Sequence, residues 1–216
     1  MKRVDEWKVY IITDRELSRG RSNEEVIRQA ICGGADAVQL RDKGASTVEL
    51  YKEAVVLRSL TKNMDTSFII NDRVDVALAV DADGIHLGQD DLSVSAARRI
   101  LGSDKIVGLS THSFQQAHAA SEEKVDYISL GPIFQTQTKE TDQPVGVSLI
   151  RRVKESVSLP VVAIGGIRED NVKEVLRAGA TCVAVISAAV SADDIEASVR
   201  RLKQKVSAVD VGENTK

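Results

Sequence analysis

Two aspartates, Asp72 and Asp91, and three cations, Arg41, Lys43 and Lys139, each stand just past a short apolar run. Small acids set beside cations suit a polyanion bridged by a divalent metal. Magnesium takes one or two carboxylates, keeps some waters, and draws its other oxygens from substrate phosphates. A rim salt-bridge network accounts equally well for any one of these residues, but several run ends feeding one set favour the metal. A second group lies further on, where Gly165-Gly166 precedes Asp170 and Ser187-Ala188-Ala189 follows the last apolar run. Glycine there can expose backbone N–H groups to a phosphate, although a tight turn also wants glycine. Between the groups, residues 135–144 form a polar, threonine-rich stretch in which Thr136, Thr138 and Lys139 offer donors to phosphate or carboxylate oxygens. Long loops in small domains are often functional lids. Two anion sites imply two phosphorylated substrates. No Cys–His or Ser–His–Asp spacing suggests a nucleophile. Of the histidines, His86 reads equally as packed or functional, His112 could line a pocket, and His118 belongs to a surface helix.

The elements that must carry these residues are legible from hydrophobic patterning. Near-continuous apolar runs at Val9–Thr13, Ala37–Leu40, Ser67–Ile70, Gly84–Leu87, Ile106–Leu109, Tyr127–Leu130, Val161–Ile164 and Cys182–Ile186 read as strands covered on both faces. Helical patterns lie between them. Ser22…Glu25, Ser46…Glu49 and Ser113…Gln116 have capping-box spacing, while Gly33-Gly34, Gly102 and Gly179 stand where helices close. Asp81 and Asp83 read as turn residues. Eight strand–helix units predict an α/β fold, a single (β/α)₈ TIM barrel with a parallel sheet, in which strand C-termini build the active site. A doubly wound sheet is the rival, but Thr13-Asp14-Arg15 follows the first strand in place of a G-x-G-x-x-G turn. Residues 1–206 are expected to form the barrel, and 207–216 a disordered polar tail.

The 216 residues carry 29 Lys+Arg against 32 Asp+Glu, a net charge of −3, with only 3% aromatics. That balance offers no basic stripe or stacking platform for nucleic acid. No apolar run is long enough for a membrane span. Two cysteines form no disulfide framework, as expected in a reducing cytoplasm. The sequence leaves the oligomeric state open.

The segments Tyr-Ile-Ile-Thr-Asp-Arg (10–15), Gln-Leu-Arg-Asp-Lys (39–43), Asn-Asp-Arg (71–73), Gly-Ile-His-Leu-Gly-Gln-Asp-Asp (84–91) and Gly-Leu-Ser-Thr-His (108–112) closely resemble those of the thiamine-phosphate synthase family. So do Gly-Pro-Ile-Phe-Gln-Thr-Gln-Thr-Lys (131–139), Ala-Ile-Gly-Gly-Ile (163–167) and Ile-Ser (186–187). The resemblance implies coupling of 4-amino-2-methyl-5-(diphosphooxymethyl)pyrimidine to a thiazole phosphate, or to its carboxylated form with loss of CO2. Gln39, Leu40, Arg41, Asp42, Lys43, Asn71, Ser110 and Lys139 would bind the pyrimidine diphosphate. Within that set Arg41, Lys43 and Lys139 would act catalytically on the leaving group. Asp72 and Asp91 would hold Mg²⁺, and Thr136, Gln137, Thr138, Gly166, Ile186 and Ser187 would hold the thiazole phosphate. Such chemistry explains the missing general base, because a thiazole nitrogen attacks with a free lone pair. A thiazole tautomerase-like paralogue would have no use for the acids and cations together. A sugar-phosphate epimerase or aldolase would need a poised lysine or carboxylate pair. A non-catalytic ligand-binding regulator would not need the complete set.

Overall fold

Strands this short and this apolar are stable only if both faces are covered, and a closed barrel wrapped in helices does that. The computed structural model describes residues 3–136 and 143–209. Its eight parallel strands are β1 (Val9–Ile12), β2 (Ala37–Leu40), β3 (Ser67–Asn71), β4 (Gly84–Leu87), β5 (Ile106–Thr111), β6 (Tyr127–Leu130), β7 (Val161–Ile164) and β8 (Cys182–Val185). They pair in chain order, and β1 closes on β8 with Val9 opposite Val183. The helices are α1 (Asn23–Cys32), α2 (Thr47–Thr61), α3 (Val74–Ala79), α4 (Val94–Leu101), α5 (Phe114–Ser121), α6 (Gly146–Lys154), α7 (Val172–Arg177), α8 (Ser187–Val190) and α9 (Ile195–Ser207). None is long and apolar enough to cross a membrane among the described residues. The expected (β/α)₈ barrel is therefore the observed fold. β5 outruns its apolar segment because Ser110 and Thr111 still pair with Ser129 and Leu130; ladder hydrogen bonds, not hydrophobicity, set its end.

Alternation along each strand divides the core. Val9, Ile11, Val38 and Leu40 face the helices in one large cluster, while Tyr10, Ile12, Ala37 and Ile69 point into the barrel in a smaller one. The foot of the barrel is closed by Trp7, fully buried, which meets the Tyr10 and Tyr127 rings edge-on at 5.4 and 5.5 Å. A short 3-10 turn, Val4–Glu6, delivers it. The sequence reading gave this N-terminal segment no role.

The foot also carries a repeated clamp. The residue just before β2, β4, β6 and β8 accepts a backbone N–H from the start of the preceding strand. Asp36 takes the Val9 amide at 3.0 Å, Asp83 the Phe68 amide at 2.8 Å, Asp126 the Val107 amide at 2.7 Å, and Thr181 the Val161 amide at 3.3 Å. Lys203, Arg58 and Arg98 pair with the three carboxylates in turn. Asp83 is thus a strand clamp and not merely the turn residue its sequence position suggested.

Of the three expected capping boxes only Ser46–Glu49 closes in both directions. Ser22 caps its helix, but Glu25 accepts from Gln29 instead. Ser113 does likewise, and Gln116 turns to the His112 amide at 2.7 Å. The barrel also extends beyond residue 206: α9 runs to Ser207, and Val209 packs against the core. Residues 210–216 of the expected tail lie outside the described residues.

Candidate active site

A cleft opens at the C-terminal ends of the strands. One corner is charged. Arg41 leaves β2 and is held by Asp14, Nη1 to Oδ2 at 3.0 Å, with both side chains mostly buried. Asp14 in turn is braced by the amides of Glu16 and Leu17. Arg41, which lines the cleft, thus has one nitrogen anchored. Lys43 Nζ lies 3.9 Å from Asp72 Oδ2.

Asp72 sits one residue past β3 at φ +61°, a conformation that aspartate tolerates better than most side chains. Its N–H still bonds the His86 carbonyl at 2.9 Å, so the chain leaves the sheet at this residue. Asp91 comes from the β4–α4 loop, where its Oδ2 accepts the Gly88 amide at 2.6 Å. Burial, then the hydrogen bond with Asp91 and that residue's charge, push the Asp72 carboxyl up to about 6, with Lys43 and Asn71 pulling the other way. Two carboxylates near enough to share a proton are a natural seat for a divalent cation. Among the described residues no group of three or more His, Cys, Asp or Glu side chains could hold a metal. Two carboxylates are as many as magnesium commonly takes from protein, its other oxygens coming from water and phosphate, so the residues present fit such an ion.

The opposite corner is backbone. Gly165 and Gly166, at φ +97° and +63°, follow β7 directly beneath the chain that leaves β6. A Cβ on Gly165 would fall 2.5 Å from Pro132, and one on Gly166 2.5 Å from the Gln135 carbonyl. Close approach of two loops requires glycine here, so the turn explanation holds whatever the amides bind. Ser187 opens α8 directly after β8, and first-turn amides have no intrahelical acceptor. Thr136, Gly166, Ile186 and Ser187 all line the cleft.

The structure thus brings Gln39, Arg41, Lys43, Asn71, Asp72, Asp91 and Ser110 to the same cleft as that phosphate-type corner. Leu40 and Asp42 do not join them through their side chains. Leu40 points outward into the helix-facing core, as strand alternation demands between Gln39 and Arg41. Asp42 is turned to Arg15 at 2.6 Å and to the Gly44 and Ala45 amides, both at 3.1 Å, shaping its own loop. Gln137, Thr138 and Lys139, with most of the expected lid, lie outside the described residues.

Sequence reading missed Tyr10 and Ser129 on the cavity floor, and left His86 undecided. All three occupy inward positions, so alternation was the signal that could have found them. His112 does line the cleft, with Nδ1 2.6 Å from the Gly131 carbonyl.

Residues 9–189 match the profile of a family described as thiamine monophosphate synthase. The chain belongs to that family. A thiamine-phosphate synthase from Chloroflexus aurantiacus is 50% identical over 205 residues, which cover 94% of each chain. One from Halalkalibacterium halodurans is 50% identical over 192 residues, covering 88% of this chain and 91% of the relative. Among solved structures, a thiamine phosphate pyrophosphorylase from Pyrococcus furiosus superposes with a TM-score of 0.88 at 41% identity, covering 95% of this chain and 98% of that one.

Proposed function

We propose that the chain is a thiamine-phosphate synthase, joining an aminopyrimidine methyl diphosphate to a thiazole phosphate with release of diphosphate. The observation that carries this reading is the pairing of an acid-and-cation corner with a glycine-and-helix-start corner across one cleft, in a chain half identical to synthases.

Arg41 and Lys43, with Lys139, would take up the charge that develops on the departing diphosphate. Groups fixed in advance where charge appears are worth more than mobile solvent. Asp72 and Asp91 would hold Mg²⁺, which when bound supplies further neutralisation of that charge. Gln39, Asn71 and Ser110, which line the same cleft, would orient the pyrimidine diphosphate. The amides of Gly166 and Ser187, with Ile186 and the hydroxyls of Thr136 and Thr138, would hold the thiazole phosphate, and Gln137 belongs to the same loop. Ile12, Val162 and Ile164 also line the cleft and would keep water from the reacting carbon. The thiazole nitrogen brings its own lone pair, so no side chain has to remove a proton. The electron-rich aminopyrimidine can carry positive charge at its CH2 as the C–O bond breaks. Holding two reactants in line supplies the entropic part of the acceleration. A cytoplasmic setting suits the two unpaired cysteines, Cys32 exposed and Cys182 buried.

The test is product formation. With Mg²⁺ and both substrates, the protein should release thiamine phosphate and diphosphate in equal amounts, and neither substrate alone should yield them. Absence of thiamine phosphate from the complete mixture refutes the reading.

A further inference from the structure

A row of polar side chains crosses the barrel interior below the mouth. Gln39 Nε2 donates to the Tyr10 hydroxyl at 2.6 Å, and the Tyr10 and Tyr127 hydroxyls lie 3.3 Å apart. The Tyr127 hydroxyl is 3.0 Å from His86 Nδ1, and His86 Nε2 is 2.9 Å from Ser110 Oγ. The barrel gives up packing to seat this row. A Cβ on Gly108 would fall 2.1 Å from the Tyr127 ring, so β5 carries no side chain there. The His86 ring stacks on Tyr127 with centroids 5.5 Å apart.

We propose that the row is a one-way hydrogen-bond chain, running Gln39 to Tyr10 to Tyr127 to His86 to Ser110, with Tyr127 and His86 as positioning residues. Its effect is to hold His86 as the neutral Nε2–H tautomer and to aim the Ser110 hydroxyl proton into the cleft, at the diphosphate. The diphosphate end of this inference rests on the synthase reading.

The direction follows from counting protons. An amide nitrogen can only donate, so Tyr10 accepts from Gln39. Burial pushes both phenols well above their ordinary range, so each keeps one proton to give. If Tyr127 donated to Tyr10, Tyr10 would accept twice and its own proton would be fully buried without a partner, which is costly. Tyr10 therefore donates to Tyr127, and Tyr127 to His86 Nδ1. The neutral ring then carries its proton on Nε2 and gives it to Ser110 Oγ. Ser129 agrees with this sense: its hydroxyl lies 3.3 Å from His86 Nε2 and donates to Ser110 Oγ at 3.5 Å. Ser110 keeps its own proton for the cavity, where diphosphate oxygens only accept. Reversing the whole row would flip the Gln39 amide and leave Ser110 holding a lone pair toward an anion.

The tautomer is directly observable. Long-range proton–nitrogen NMR on ¹⁵N-histidine protein, with His86 assigned by its loss in His86→Gln, should show Nδ1 unprotonated and Nε2 protonated. Tyr10→Phe leaves the Tyr127–His86 bond in place and should preserve that pattern; Tyr127→Phe should mix the tautomers. Calorimetry with Mg²⁺ and inorganic diphosphate should show Tyr127→Phe binding about tenfold more weakly than wild type. An Nδ1–H tautomer or a charged ring in wild type overturns the proposal. So does Tyr127→Phe with an unchanged tautomer or unchanged diphosphate affinity. If these results hold but no thiamine phosphate forms in the product assay, the synthase reading falls and the chain stands.

Discussion

Asp72 is the residue at which charge, backbone and the proposed metal chemistry meet. Its carboxyl titrates near 6 because burial and Asp91 both favour the protonated form. A raised carboxylate stabilises the fold fully below its unfolded value, and that contribution is lost as pH rises through 6. Above pH 6 the metal-free protein therefore carries a repulsion that Mg²⁺, held as proposed, would relieve, whereas below it protons would compete with the ion. Added Mg²⁺ should raise the thermal midpoint more at pH 7.5 than at pH 5; equal shifts would argue that the ion binds elsewhere. Lys139→Ala should lower kcat on the order of 10²-fold, comparable to loss of one oxyanion donor, and a wild-type turnover would remove it from the leaving-group set. Most of these residues were legible because each follows an apolar run. Leu40 and Asp42 show the limit of that logic: adjacency in sequence puts them beside the site, but alternation and a local turn direct their side chains away.

At the scale of elements, the barrel separates the face that reacts from the face that holds it together. The clamp at Asp126 takes the Val107 amide and pairs with Arg98, whose other nitrogens bond the Lys124 and Lys105 carbonyls. Asp126→Ala takes the acceptor from a strand amide and one of several partners from Arg98, so it should destabilise by about 1–2 kcal/mol in denaturant unfolding, with turnover of the folded fraction unchanged. A loss under 0.5 kcal/mol would show the clamp to be ornamental. Gly165→Ala is the opposite case. Its Cβ would strike Pro132, so the β6 loop must shift and KM for the thiazole phosphate should rise more than KM for the pyrimidine diphosphate. Strand positions were readable to within a residue or two because doubly covered strands are uniformly apolar. The clamps were not, since an aspartate before a strand looks like any turn aspartate until register places it against an amide at the start of a neighbouring strand.

Taken whole, the molecule is a closed barrel with a cleft at its mouth, to which the proposal assigns two anion corners and an interior row that orients polar groups toward one of them. Its fold could be inferred from strand–helix alternation alone, whereas the interior hydrogen-bond row depends on contacts between strands far apart in sequence, such as Tyr10 and Tyr127. The central claim is that diphosphate departs on a metal and fixed cations, with no base acting on the nucleophile. Mg²⁺ titration of thiamine phosphate formation, in wild type and in Asp72→Asn and Asp91→Asn, tests it most directly. The account predicts saturable dependence on Mg²⁺, no turnover in excess chelator, and a rate lower by at least about 10²-fold in either variant at wild-type saturating Mg²⁺. Undiminished product formation in chelator, or wild-type Mg²⁺ dependence in both variants, would contradict it.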